Sequence, residues 1–300
     1  MADYSIKDLE HLSGIKAHTL RIWEQRYGLI DPKRTETNIR FYDQDDLKLV
    51  LNVSLLKDNG FKISKIAQMS KEEMNEAVLK VSEKTTSFAD QIYGLTLAMI
   101  DLDEQRFEKI ISSNTLKIGF ERTMLNIIYP FLSKIGIMWI TYSISPAQEH
   151  FISNLVRQKV IVAIDGQYET FDERAKKYML FLPEGELHEL SLLFANYLIR
   201  ARGNKVIYLG QNMPFNDLNS AYEAYQPDYL LTIITSRDKN ISTEDYIRRL
   251  SNEFPNTEIL VAGSQVIGQD LDLNDNVVQI ANPNHLVQFI EEHQAQSVSR

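Results

Sequence analysis

The stretch from Tyr178 to Ser191 limits the fold most strongly, because a short buried strand there leads directly into a helix. Tyr178–Leu182 is a continuous apolar and aromatic run, which is typical of a strand buried on both faces. Pro183 and Gly185 end that strand, since both residues favour turns. From Leu190 to Arg202 apolar residues recur at helical spacing, so the sequence predicts a strand, a turn and a helix in succession.

The remaining C-terminal sequence repeats this alternation of strand and helix. Strand patterns occupy Val206–Leu209, Tyr229–Ile234, Ile259–Ala262 and Val277–Ile280, with amphipathic segments between most of them. Residues 178–294 are therefore predicted to form a Rossmann-like (flavodoxin-like) α/β domain around a parallel sheet. His188 falls in the loop after the first strand's carboxyl end, which is where open parallel sheets bind ligands.

Length, charge and cysteine usage narrow the class of protein. A chain of 300 residues with 44% hydrophobic residues is expected to form two or three domains. Its net charge of -9 means that contact with nucleic acid requires a local basic surface. The absence of cysteine excludes disulfides, thiolate zinc sites and cysteine nucleophiles. Without a secretory signal or an apolar run approaching about 18 residues, we expect a cytoplasmic protein with no membrane partner.

Residues 1–71 show the pattern of a DNA-binding head. Helical spacing from Ser5 to Ser13 is followed by Gly14 and by a second helix from Lys16 to Tyr27. A helix, a glycine turn and a polar-faced helix are typical of a helix-turn-helix. Between Lys16 and Tyr42 six cationic side chains stand against three anionic ones, a net charge of +3. This segment supplies the local basic surface that an acidic chain needs to bind DNA.

Three short motifs are more specific than a generic helix-turn-helix: Arg21–Glu24, Tyr27–Leu29 and Arg40–Tyr42. Their residues and spacing resemble the winged helix-turn-helix head of the MerR family of transcription regulators. The resemblance implies that the second helix enters the major groove of double-stranded operator DNA, while a wing follows the phosphates. The contacts that it implies are Thr19, Arg21, Tyr27, Arg34, Arg40 and Tyr42. Trp23, which faces inward, is expected to pack in the core.

Residues 72–166 show helical spacing with almost no strand alternation, which predicts a central four-helix bundle. A polar, charged segment over residues 167–177 is expected to be a linker. A bundle of this kind is compatible with a spacer or a dimerisation element. One spacing is more specific, because nine residues separate Trp139 from the pair Glu149-His150.

The spacing from Trp139 to Glu149-His150 resembles the helical cap over cobalamin in CarH-like MerR regulators and in methionine synthase-like cobalamin modules. The resemblance implies that Trp139 covers the upper face of the corrin ring and excludes water, while Glu149 and His150 add polar contacts. In photosensing members the residue after the tryptophan is a histidine that takes the upper cobalt position. Here that residue is Ile140, whose aliphatic side chain cannot ligate cobalt.

The C-terminal domain carries a second set of motifs, Glu186-Leu-His188 with Ser191, Thr232-Ile-Ile234, and Gly263-Ser264. They resemble the Asp-x-His-x-x-Gly, Ser-x-Leu and Gly-Gly signature of cobalamin-binding domains. The resemblance implies that His188 is the lower cobalt ligand and that Glu186 bonds its other ring nitrogen. It also implies that Thr232 lines the slot for the displaced nucleotide tail. Ser191 and Ser264 stand where the family has glycine, so each added side chain narrows a place where backbone approaches the ligand.

The combined resemblance implies a cytoplasmic transcription regulator, a repressor, without catalytic residues. It would act as a homo-oligomer, a dimer or a tetramer, whose operator binding is controlled by adenosylcobalamin or methylcobalamin. Two alternatives stay open. One is a cobalamin-independent MerR-type regulator whose ligand domain binds a regulatory partner protein. The other is a cobalamin-dependent methyltransferase module, which the DNA-binding head and the lack of a substrate barrel disfavour.

Overall fold

The computed structural model describes residues 4–13, 15–34, 40–83, 88–140, 144–167, 175–236 and 241–298. The chain divides into two compact units, Met1–Ile152 and Ser153–Arg300. Most of the predicted linker over 167–177 lies outside the described residues, which omit 168–174. Among the helices that the structure describes, none combines the length and the apolar character needed to cross a membrane.

The head consists of short helices and a two-stranded wing. Its elements are α1 (Ile6–Ser13), α2 (Ala17–Tyr27), β1 (Lys33–Arg34), β2 (Arg40–Phe41), α3 (Gln44–Asp58), α4 (Ile63–Ile66) and α5 (Lys71–Glu83). The helix α2 ends at Gly28, which adopts the left-handed conformation at φ 58°. The side chain of Asp43 starts α3 by accepting the backbone N–H groups of Asp45 and Asp46. The predicted helix-turn-helix is confirmed, and β1 pairs antiparallel with β2 to form the wing.

The first unit continues with the bundle helices α6 (Ala89–Ile100) and α7 (Glu104–Ile118). One helical run then contains α8 (Phe120–Thr123), a π-helical turn (Met124–Ile128) and α9 (Tyr129–Ile140). The next helix, α10 (Pro146–Asp165), begins in the first unit and ends in the second, which starts at Ser153. The predicted helical bundle is confirmed, but with that run counted as one helix the described part of residues 72–166 contains five helices rather than four, because α5 also falls in this range. The apolar spacing does not predict the π turn, because its buried residues Met124, Ile127 and Ile128 have spacings that an α-helix also shows.

A single apolar cluster holds the head together and extends to the bundle. Leu20 and Trp23 of α2 are buried in it with Val53 of α3 and Val78 of α5. The predicted core position of Trp23 is thereby confirmed. Ile137 of α9 also packs against this cluster. A bundle helix therefore contributes apolar surface to the core of the DNA-binding head, which links the two by the burial that stabilises both.

The second unit is built around a five-stranded sheet. Its strands are β3 (Lys177–Pro183), β4 (Lys205–Met213), β5 (Tyr229–Ile233), β6 (Glu258–Ala262) and β7 (Val277–Gln279), and its helices include α11 (Leu190–Arg200), α12 (Leu218–Tyr225), α13 (Thr243–Glu253) and α14 (Pro283–Val298). The order is β4-β3-β5-β6-β7, and all neighbours pair in parallel. The predicted flavodoxin-like fold is confirmed.

The position of β3 explains where the second unit can bind a ligand. The strand β4, which follows β3 in the chain, pairs with one edge of β3, and the later strand β5 pairs with the other edge. The carboxyl end of β3 is thus the switch point of the sheet, where loops leave in opposite directions and open a crevice. His188 follows β3 directly, in the loop that lies at this point.

Candidate functional site

The loop after β3 pairs a buried carboxylate with an exposed imidazole. The Glu186 side chain is 3% exposed and the His188 side chain 68% exposed, and Glu186 Oε1 lies 2.6 Å from His188 Nδ1. The same oxygen accepts the backbone N–H of His188 at 3.0 Å. Because Nδ1 is engaged by the carboxylate, Nε2 is the ring nitrogen that could coordinate a metal.

The second oxygen of Glu186 is held by residues that follow β5. Glu186 Oε2 accepts the backbone N–H groups of Thr235 at 2.7 Å and Ser236 at 2.6 Å, and the Thr235 hydroxyl at 2.8 Å. Burial alone would raise the pKa of Glu186. The bonds from His188, Ser236 and Thr235 outweigh burial and hold the pKa well below its usual range. The carboxylate is therefore anionic, as a histidine partner requires.

Thr235 and Ser236 are functional residues that sequence reasoning missed. The predicted motif ends at Ile234, although the sequence itself indicates that Thr235 and Ser236 belong to the site. Two hydroxyl residues directly follow a buried strand that pairs with β3, so they emerge at the same edge of the sheet as Glu186.

Thr232 lies inside β5, between Phe181 of β3 and Val261 of β6 in register. Its side chain is fully buried, with 0% exposure, and its hydroxyl oxygen has no hydrogen-bond partner within the part of the chain that the structure describes. Buried hydroxyls are usually satisfied, so this one fits a site where a ligand supplies the missing partner. This observation supports the predicted fit of a cobalamin tail to the residues present.

Gly263 and Ser264 close the site beyond β6. Gly263 has φ +103°, and a Cβ there would lie 2.2 Å from the carbonyl oxygen of Ile234. Glycine is needed at 263 because two backbones meet, whatever ligand binds. The Ser264 hydroxyl donates to the carbonyl of Thr235 at 3.2 Å, which ties this turn to the residues that hold Glu186. Ser191, in the first turn of α11, is half-buried.

The predicted cap residues lie on the first unit. Trp139 is half-buried near the end of α9. Glu149 and His150 lie in the first turn of α10, where His150 Nδ1 is 3.0 Å from Glu149 Oε2 and the imidazole is largely exposed. The structure thus pairs Glu149 with His150, and it brings Glu186, His188 and the residues after β5 and β6 together at the carboxyl edge of the sheet.

The predicted DNA contacts lie on α2 and the wing. Arg21 and Arg34 are exposed, whereas Thr19 and Tyr27 are half-buried. Arg40 is partly engaged, because its Nε lies 3.3 Å from Glu24 Oε1. The apolar side chain of Ile22 is also exposed on α2, which sequence reasoning did not single out and which suits contact with a thymine methyl group.

Tyr42 is not placed as predicted. Its side chain is 1% exposed and belongs to the head's apolar cluster, and its backbone forms a β-bridge with Tyr4. Burial raises the pKa of Tyr42. The prediction that Tyr42 contacts phosphate is therefore wrong for this structure, because a side chain enclosed by the core cannot reach a DNA backbone. Its role is packing.

Comparison with known proteins finds family models that match two segments of the chain. A model described as "MerR HTH family regulatory protein" matches residues 4–73, and a model described as "B12 binding domain" matches residues 91–163. The chain is 27% identical over 259 residues to the HTH-type transcriptional repressor CarH of Myxococcus xanthus, covering 84% of this chain and 85% of that protein. It is 26% identical over 238 residues to the repressor CarA of the same organism, covering 77% of each.

About two thirds of the chain also has a solved counterpart of similar fold. The monomethylamine corrinoid protein of Methanosarcina barkeri superposes with a TM-score of 0.55 at 14% identity, covering 68% of this chain and 99% of that one. At this identity the likeness shows the fold. A helix-turn-helix head joined to a B12-binding domain defines a DNA-binding transcription regulator rather than an enzyme. The chain is therefore a DNA-binding regulator with a MerR-type head and a B12-binding domain, and over most of its length it is similar to the repressor CarH.

Proposed function

We propose that the chain is a repressor whose binding to operator DNA, and whose assembly into a dimer or tetramer, are controlled by cobalamin. The observation that carries the proposal is the carboxylate–histidine pair at the switch point of the sheet, with Glu186 Oε1 2.6 Å from His188 Nδ1. A carboxylate that fixes the tautomer of an imidazole is the usual arrangement behind a metal-ligating histidine.

Each residue of the pocket then has a physical role. His188 Nε2 would ligate cobalt, Glu186 would orient its ring, and the Thr232 hydroxyl would bond the nucleotide tail. Trp139 would exclude water from the corrin, with Glu149 and His150 as polar contacts, and Ser191, Gly263 and Ser264 would line the approach to the tail. When bound, adenosylcobalamin or methylcobalamin supplies a cobalt–carbon bond that can be broken, and all remaining steps belong to the protein.

The helix α9 provides a route from the pocket to the head. It carries Trp139 near its end, while Ile137, two residues earlier, packs against the head's apolar cluster. A shift of Trp139 would therefore move a side chain that supports α3 and α5, and both helices pack on α9. Packed cores respond to such shifts by changing between discrete arrangements, so α9 can convert occupancy into a change in the DNA-binding surface.

The head binds DNA through α2 and the wing. Arg21 on α2 reads base edges, while Arg34 and Arg40 neutralise phosphates beside Thr19 and Tyr27. A symmetric oligomer would present two copies of α2 to the two halves of an operator, as helix-turn-helix dimers do. In this proposal the protein is cytoplasmic, because it binds both operator DNA and cobalamin there.

The test is an absorption spectrum of the purified protein with methylcobalamin. Wild type is expected to bind with a base-off spectrum in which histidine ligates cobalt, and His188→Ala is expected to lose that ligation. His285→Ala is the matched control, since His285 lies in the same domain and its Nδ1 accepts the backbone N–H of Ala281, next to the start of its own helix. No uptake by wild type at high micromolar methylcobalamin would refute the proposal and favour a partner protein as the ligand.

A further inference from the structure

The residue after His188 is also anchored through its carboxylate, but to other elements than Glu186. The Glu189 side chain is 11% exposed, and its Oε2 accepts a bond from Arg157 Nε at 2.8 Å. Its Oε1 accepts the hydroxyl of Tyr208 at 3.0 Å. Arg157 lies on α10, Glu189 directly before α11, and Tyr208 on β4, so one carboxylate joins three elements.

The bonds to Glu189 have a fixed direction. Burial, with the nearby charge and hydrogen bond of Glu189, raises the pKa of Tyr208 far above its usual value. The phenol therefore stays protonated, and its O–H group is the hydrogen-bond donor to Glu189. Arg157 donates and cannot accept. Glu189 is thus a carboxylate that is mostly withdrawn from water and paired on both oxygens, and removal of either donor would leave buried charge under-satisfied.

This arrangement holds His188 from its second side. Glu186 ties the loop to the residues after β5, and Glu189 ties it to α10 and β4. The same helix α10 carries His150, seven residues before Arg157, which is two helical turns on one face. The His188 loop and the second-unit part of α10 are therefore joined by one ion pair.

We propose that Arg157, Glu189 and Tyr208 form a positioning triad that couples cobalt ligation at His188 to the placement of α10. The triad rests on the proposed function, since it acts on the ligand that the pocket binds. It fixes the loop against the part of α10 that belongs to the second unit, so the position of the His188 ring depends on all three side chains.

The experiment measures methylcobalamin affinity and the fraction of bound cobalt that is ligated by His188, using wild type, Arg157→Gln, Glu189→Gln and Tyr208→Phe. We expect Arg157→Gln and Glu189→Gln each to weaken binding about tenfold, the loss typical of outer partners of a metal ligand, and to raise the unligated fraction. Tyr208→Phe should have a smaller effect in the same direction. The double variant Arg157→Gln/Glu189→Gln should bind methylcobalamin no more weakly than the single variant with the lower affinity. The two substitutions remove the same ion pair, so their effects should not add.

Arg248→Gln is the matched control, because Arg248 forms an ion pair of equal length, 2.8 Å, with Glu244 on the surface of the same unit. It should leave affinity and spectrum unchanged. Thermal unfolding of each ligand-free variant identifies any that fails to fold, and Tyr208→Phe, which keeps the ring, then carries the test. If wild type shows histidine ligation and all triad variants match it, the triad is refuted while the proposed function stands. If wild type takes up no methylcobalamin, both are overturned.

Discussion

The His188 loop and the α2 surface hold their charged side chains in opposite settings. Glu186 is buried, and its carboxylate accepts hydrogen bonds from His188 in its own loop and from Ser236 after β5. The protein itself therefore fixes the position of this side chain. Arg21 is exposed on a helix and gains its partner from DNA. The contrast is that the carboxylate of the His188 loop is held by bonds within the protein, whereas the Arg21 side chain is open to solvent. Substitutions should therefore have the larger effect in the loop.

The largest expected effect is that of Glu186→Gln. The amide keeps the shape of the side chain but cannot accept on both oxygens, so the His188 ring loses its fixed tautomer. Methylcobalamin binding should weaken roughly 10–100-fold, measured by spectroscopic titration. Glu184→Gln, an exposed residue in the same loop, is the control and should bind like wild type. Equal affinities for the two variants would mean that the loop is not ordered by Glu186.

The DNA-binding surface should show smaller and divisible effects. Arg21→Ala is expected to cost about 1–3 kcal/mol on selected operator fragments and little on random DNA, because it reads bases. Arg34→Ala should weaken both equally and reduce the salt slope by about one. Tyr42→Phe should change neither, since the side chain is in the core. Fluorescence anisotropy over a salt series measures the DNA affinity of all three variants. An altered salt slope for Tyr42→Phe would show that the Tyr42 hydroxyl contacts DNA.

A weaker effect is expected for a substitution on α9, where this helix packs against the head's apolar cluster. Ile137→Ala removes part of the contact between α9 and the head's cluster while leaving Trp139 in place. Cobalamin affinity should stay within about twofold of wild type, since the change removes no ligand contact and leaves binding free energy within about 0.4 kcal/mol. The change in operator affinity on adding cobalamin should shrink. Ile100→Ala, at an exposed position of α6, is the control. A full response in Ile137→Ala would exclude α9 as the route.

The smallest effect concerns pH. The pKa of Glu186 is lower in the folded chain than its ordinary value, so the carboxylate stabilises the fold fully above the unfolded pKa. That contribution is lost progressively as pH falls below about 4.3, the usual glutamate value. The difference in free energy of unfolding between wild type and Glu186→Gln should shrink as pH falls from about 5 to about 3, roughly the range in which the unfolded carboxylate gains its proton. Denaturant unfolding at each pH checks this, and a difference that grows on acidification would contradict it.

Much of this arrangement follows from local sequence. The strands were predictable because each is a short apolar run between turn residues, as Tyr178–Leu182 illustrates, and His188 follows from its place after β3. Contacts between distant loops were not predictable in this way. Thr235, Ser236 and Glu189 act through partners that the sheet order brings together across 19 to 50 residues of sequence.

Tyr42 shows why a motif is insufficient to assign a surface role. Arg40 and Tyr42 are two residues apart, so alternation along a strand would place both on one face of the wing. The strand β2 ends at Phe41, and Tyr42 instead bridges to Tyr4 and turns into the core. The partner that decides its orientation lies at the other end of the head, in a segment that carries no motif.

The central claim is that cobalamin held at His188 controls the DNA-binding head. It is tested most directly by measuring the affinity of wild type and His188→Ala for one DNA fragment, selected by the protein from a random pool, with and without adenosylcobalamin. The account predicts a change of at least about tenfold for wild type, equivalent to about 1.4 kcal/mol of coupling, and none for His188→Ala. Equal responses in the two proteins, or no response in wild type that binds adenosylcobalamin, would contradict it.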